Sequence, residues 1–102
     1  MRIKLSKDAS LFLRSEQHYL EQFNPRAAEN VLRQLRASLR LLAEYPQTGS
    51  PNAALEGRRR FISGDYVIDY QVTGRLLEVS HIRHGRQLPP AMEKDDDLEE
   101  GD

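Results

Sequence analysis

The chain has 102 residues, 38% apolar and 30% charged, enough for one compact core and too few for a catalytic module with a separate regulatory one. It contains no cysteine, which excludes a disulfide framework, thiol chemistry and a cysteine-ligated zinc site. The net charge of −1 is unevenly divided: residues 93–102 hold seven acids and one lysine, while residues 1–92 hold 14 Lys and Arg against nine Asp and Glu, so a basic body carries an acidic tail.

Arg2, Ile3, Lys4 and Leu5 alternate polar with apolar, which predicts a short half-buried strand. Ser6 reads as a helix cap. From residue 8 to 23, Ala9, Phe12, Leu13, Tyr19, Leu20 and Phe23 recur at helical spacing and predict an amphipathic helix with one apolar stripe. Asn24-Pro25 follows, a favoured cap residue and then proline where the first turn tolerates it. The dipeptide therefore opens a second helix that runs to about residue 45. Ala28, Val31, Leu32, Leu35, Leu39 and Leu42 share one face of this helix, with Arg33, Arg36 and Arg40 mostly off it. So short a connection makes the two helices antiparallel neighbours.

Pro46, Gly49 and Pro51 end the second helix and mark a loop to about residue 57. Three strands in a meander are then predicted, at 58–63, 66–72 and 75–83, separated by the turn signals Gly64-Asp65 and Thr73-Gly74. Tyr66, Ile68, Tyr70 and Val72 share one face of the middle strand, which makes the tyrosines core residues before base-stacking ones. In the last strand Leu77 and Val79 have odd parity while Leu76 and Ile82 have even, so either both faces are covered or a bulge intervenes. Residues 91–102 have too little apolar content to bury a face, and we expect an acidic, disordered tail there behind a folded domain at 1–90. The expected architecture is α+β, a two-helix antiparallel hairpin on a small, mostly antiparallel four-stranded sheet in the order β-α-α-β-β-β.

Few residues offer chemistry. His18, His81 and His84 are the side chains that titrate near neutrality without special tuning. They lack the helical spacing and carboxylate or thiolate partners of a metal site, so no metal and no cofactor are expected. No nucleophile elbow and no glycine-rich phosphate loop are present. Arginine remains. Arg58, Arg59 and Arg60 enter the first meander strand and Arg83, His84 and Arg86 leave the third, so adjacent strands would bring the two clusters to a common surface. Guanidinium forks there bind phosphates or carboxylates, unless the arginines only solvate an edge against aggregation. With no apolar run of five residues there is neither a membrane span nor a secretory signal, and a cytoplasmic protein is expected.

Several segments in order resemble one family. They are Asn24-Pro25-Arg26-Ala27-Ala28, then Leu42-Ala43-Glu44-Tyr45-Pro46 with Gly49 and Pro51, then Gly57-Arg58-Arg59, Gly64-Asp65-Tyr66-Val67-Ile68-Asp69-Tyr70 and Ile82-Arg83-His84-Gly85-Arg86. Over about residues 1–90 the chain resembles the RelE/ParE superfamily of type II toxin-antitoxin toxins, its ParE branch in particular. The resemblance implies a cytoplasmic bacterial toxin of the plasmid-stabilising kind, neutralised in a hetero-oligomer by a cognate, ParD-like antitoxin. It also implies poisoning of DNA gyrase by binding, through Arg58, Arg59, Arg60, Arg83, His84 and Arg86, without sequence-specific DNA recognition of its own. RelE-like members instead cut messenger RNA on the ribosome, a reaction for which Arg83, His84 and Arg86 would be the catalytic set. Against that reading, Val67 stands where nuclease-type members place an arginine, and Gly85 where several place a catalytic aromatic. A non-toxic interaction module of the same fold is the third reading. An antitoxin helix would lie along the helix hairpin, anchored on Phe12, Tyr19, Leu32, Leu35 and Leu39.

Overall fold

The computed structural model describes residues 1–52 and 54–85; Arg86 and the acidic tail lie outside these. The elements run β1 (Arg2–Leu5), α1 (Lys7–Phe23), α2 (Pro25–Glu44), a 3-10 turn (Pro46–Thr48), β2 (Ser50–Pro51), β3 (Arg58–Ser63), β4 (Tyr66–Thr73) and β5 (Leu76–His84). The Ser6 hydroxyl accepts from Ala9 N and starts α1. Asn24 serves both helices: its backbone N–H closes α1 on Leu20 O, while its side chain accepts from Arg26 N and Ala27 N to open α2. One residue thus satisfies orphan groups at two helix ends and lets the hairpin turn without a loop.

The sheet has five strands in the order β1-β5-β4-β3-β2, with β1 parallel to β5 and the other pairs antiparallel. The expected four strands become five because Ser50–Pro51 pairs with Arg60 and Arg59. Proline is admissible there because β2 is an edge, where no ladder N–H is needed on the outer side. Both hairpins turn on a glycine at the first loop position, Gly64 at φ +61° and Gly74 at φ +62°, as two-residue loops require.

The parity conflict in β5 is resolved by a bulge. Tyr70 pairs with Val79 but Asp69 pairs with His81, so Ser80 is the extra residue. Leu77 and Val79 before it and Ile82 after it therefore face the helices together, all nearly inaccessible. They meet Ala9, Leu35, Leu39 and Leu42 of the hairpin and Tyr66, Ile68 and Tyr70 of β4. Val72 shares the parity of these β4 residues but lies at the far end of the strand, 41% exposed. The helices cover one face of the sheet only; the opposite, open face exposes Ile62 but still buries Val67 and Arg83, each 9% exposed.

The loop before β2 is fastened from the sheet. Tyr70 Oη donates to Pro46 O and accepts from Gly49 N, and Arg59 Nη1 donates to Gly49 O at 2.7 Å. A side chain on Gly49 would meet Tyr70 Oη at 2.5 Å and Arg60 O at 2.9 Å, so the approach of loop to sheet requires glycine.

Candidate functional site

Strand alternation divides the arginines expected to form one surface. Arg58 and Arg60 of β3, together with Arg83 of β5, lie on the open face, across from Gln71, Asp69 and Val67 respectively. Arg59 and His84 lie on the helix face, one register step away. A run of three consecutive arginines in a strand cannot present all three to one ligand, because successive side chains point to opposite faces. Arg59 is committed to the loop carbonyls described above, and Arg86 falls outside the described residues.

On the open face Arg60 and Arg83 converge. Arg60 Nε donates to Asp69 Oδ1 at 2.9 Å and Arg83 Nη1 to Asp69 Oδ2 at 2.5 Å. Asp69 and Arg83 are largely buried, with side chains 13% and 11% exposed. One carboxylate thus holds two guanidinium groups. Among the described residues, Arg83 Nε is a buried side-chain nitrogen with no hydrogen-bond partner. Further along the same face, Gln71 and Thr73 donate to Glu78 Oε1 at 3.0 and 2.9 Å. These bonds, with smaller help from the charges of Lys4 and Arg58, hold the Glu78 carboxyl below the usual carboxylate range. Counted from the register, the open face carries Arg2, Lys4, Arg58, Arg60 and Arg83 against Asp69 and Glu78, so much of the body's positive charge is concentrated there. Ile62, 69% exposed, adds an apolar spot.

His84 belongs to a different cluster. Its ring lies 4.9 Å from that of Tyr66, its Nε2 is 3.7 Å from Glu16 of α1, and Tyr66 Oη donates to the same Glu16 oxygen at 2.7 Å. Burial and then the Glu16 carboxylate raise the Tyr66 phenol far above its ordinary value, so it stays a donor. Glu16 gave no signal in the sequence beyond a polar position in α1. Its role follows only from α1 crossing the end of β5. His81 lies 3.8 Å from Asp8, and among the described residues no group of three metal-ligating side chains occurs.

The second feature is a groove of about 260 Å³ between α1 and α2. Leu5, Leu13, Leu32, Leu35 and Leu39 form its apolar lining, with Ser10, Gln17, Arg14 and Arg36 beside them and no acid. Of the five anchors expected for an antitoxin, Leu32, Leu35 and Leu39 line this groove. Leu35 and Leu39 are 1% and 7% exposed and belong equally to the core. Phe12 is turned inward, edge-on to Tyr66 with centroids 6.1 Å apart. Tyr19 is 57% exposed and packs at a tilt against Phe23, with ring centroids 5.0 Å apart, and does not line the groove. Leu5 of β1 also lines the groove, and on the helices Ser10, Leu13, Arg14, Gln17 and Arg36 are lining residues not expected as anchors. Their signal was the i, i+3, i+4, i+7 spacing of Ser10, Leu13, Arg14 and Gln17, repeated in Leu32, Leu35, Arg36 and Leu39. Among the described residues no helix is long and apolar enough to cross a membrane.

Comparison with known proteins agrees with this arrangement. Residues 3–89 match the family described as the ParE toxin of the type II toxin-antitoxin system, parDE. The chain is 36% identical over 70 residues to Toxin RelE2 of Caulobacter vibrioides, covering 69% of this chain and 78% of that one. It is 34% identical over 83 residues to Toxin ParE1 of the same organism, covering 79% and 85%. The fold is similar to that in a structure titled as a chromosomal ParDE TA system from P. aeruginosa, with a TM-score of 0.69 at 17% identity over 82% of this chain and 95% of that one. The two-helix hairpin on a five-stranded sheet, matched over nearly all its described length, is thus that of a ParE-family toxin of a type II toxin-antitoxin system, and the chain belongs to that family.

Proposed function

We propose that this toxin acts in the cytoplasm by docking on DNA gyrase and poisoning it, without breaking bonds itself, and that a cognate ParD-like antitoxin silences it in a hetero-oligomer. The observation that carries the reading is the separation of acid-base and cationic groups. Cleavage of RNA by its own 2′-hydroxyl needs a base, an acid and cationic stabilisation of one phosphate. Here His84 is turned to Glu16 and Tyr66 on the helix face, while Arg60 and Arg83 are clamped to Asp69 on the other. Val67 occupies the middle of the open face, where it offers no charge to a phosphate. Arg58, Arg60 and Arg83 then serve as a docking surface.

For the antitoxin, the groove between α1 and α2 supplies an apolar floor with two arginines at its edge, which suits an amphipathic helix carrying acids beside its apolar anchors. The test is a pair of assays on purified toxin: inhibition of gyrase supercoiling with accumulation of cleaved DNA, and cutting of message on programmed ribosomes. Activity in the first alone is expected. Activity in the second alone would replace the docking mechanism with an endoribonuclease, a reading favoured by the His84–Glu16 pair and by the RelE2 relative. Silence in both, with antitoxin binding retained, would identify a non-toxic interaction module.

A further inference from the structure

Five arginines lie on the two helices, and three of them have a carboxylate one helical turn away: Glu29 serves Arg26 and Arg33, and Glu44 serves Arg40. Arg14 and Arg36 have none. The positions three and four residues from Arg14 hold Ser10, Leu11, Gln17 and His18. Those around Arg36 hold Leu32, Leu39 and two further cations, Arg33 and Arg40, an arrangement that weakens a helix unless something offsets it. Both Arg14 and Arg36 are exposed, and among the described residues no carboxylate comes within ion-pair distance of either. These same two arginines line the groove between α1 and α2. The hairpin also brings them to one level. Arg14 stands ten positions before Asn24 and Arg36 twelve after it, so a rise of about 1.5 Å per residue sets them within about 3 Å of the same height. One comes from each wall, with Leu13 and Leu35 beside them in the lining.

We propose that Arg14 and Arg36 form a carboxylate clamp that selects the partner helix and sets its register, holding an acidic side chain of that helix at the level of Leu13 and Leu35. The inference rests on the groove being the seat of the antitoxin helix and adds the residues that choose among helices. A floor of leucines accepts apolar anchors in registers one turn apart, so apolar contact alone does not fix the fit. Two unneutralised charges at one height do. A carboxylate placed there receives charge-assisted hydrogen bonds from both walls, whereas a lysine at the same level meets two like charges and is rejected. Arg26, Arg33 and Arg40 have acids of their own within reach and discriminate less.

The experiment pans a displayed library of amphipathic helical peptides, with a fixed leucine stripe and Glu, Gln or Lys free at the flanking positions, on the full-length toxin. Glu should be enriched at one level of the peptide. The selected peptide should bind an Arg14→Gln, Arg36→Gln double variant roughly three- to thirtyfold more weakly, and the difference should shrink as salt screens the pairs. An Arg33→Gln, Arg40→Gln variant is the control and should bind within about twofold of the native chain. The Arg14, Arg36 variant should melt no lower than the native chain, since it relieves like-charge contacts, which separates lost binding from lost folding. Captured peptides without a preference at the flanks, or equal losses in the two variants, would overturn the clamp and leave the groove as the antitoxin seat. A toxin that captures no peptide from the library would overturn both. A clear drop in the melting temperature of the Arg14, Arg36 variant would make the two arginines structural and overturn the clamp as well.

Discussion

Asp69 holds Arg60 and Arg83 at once, and losing its charge leaves two guanidinium groups facing each other with one of them buried. Removing one partner of a buried ion pair costs about 3–5 kcal/mol, and the partial exposure of Arg60 puts Asp69→Asn nearer about 2–3 kcal/mol. Urea unfolding should show that loss, with part of it recovered when Arg83→Met is added. A change within about 0.5 kcal/mol, the range of ordinary surface substitutions, would mean that the triad is not a structural anchor. Tyr66 gives a prediction in pH. Its phenol is raised by burial and by Glu16, and Tyr70 is raised mainly by burial. A group whose folded value lies above the unfolded one, about 10 for tyrosine, favours the folded state in full below that value and loses its contribution as pH rises beyond it. Stability should therefore hold up to about pH 10 and fall above it. The phenolate absorbance of these two tyrosines should appear only together with unfolding; ionisation in the intact fold would refute the assignment.

At the scale of elements, the bulge at Ser80 lets Val79 and Ile82 share the core face of β5. Deleting Ser80 would remove the extra residue and leave strict alternation, with Val79 and Ile82 still toward the helices and Arg83 still opposite Val67. The deletion variant should therefore fold, with a lower melting temperature for the lost bonds of Ser80 to Ser6 and Asp69, as circular dichroism would reveal. Failure to fold would show that β5 cannot pass β4 and β1 without the bulge. The hairpin groove yields a different expectation. Leu32 is half-buried at its lining, so Leu32→Glu should leave the toxin folded and weaken antitoxin binding by about tenfold or more, as loss of a central apolar anchor does. Equal affinity in calorimetry would move the antitoxin elsewhere. The elements themselves were legible in the chain: Asn24-Pro25 marked a shared helix boundary, and the glycines at 64 and 74 marked two hairpins. Mixed parity at Leu76, Leu77, Val79 and Ile82 announced that something interrupts β5 without saying where. Ser50–Pro51 was hidden because two residues carry no periodicity and proline argues against a strand.

For the whole molecule, the sequence placed the arginines on the first and third strands of a meander, which β4 separates in the sheet, but not on faces. The division of Arg58, Arg60 and Arg83 from Arg59 and His84 follows from register, which depends on contacts far apart along the chain. For the same reason Glu16 could not be matched to His84 and Tyr66, since those contacts span 68 and 50 positions. The two proposed surfaces lie on different layers: the groove belongs to the helices, the cationic face to the sheet. On the proposed reading, an antitoxin helix in the groove would not have to cover Arg60 and Arg83 to bind.

The strand that β1 and β4 both pair with, β5, is also the last one among the described residues. Until residues 76–84 have left the ribosome, β1 has no neighbour, the hairpin has lost Leu77, Val79 and Ile82 from beneath it, and Arg83 has not arrived opposite Asp69. A copy of this chain cut short before β5 should therefore fail to assemble the fold at all.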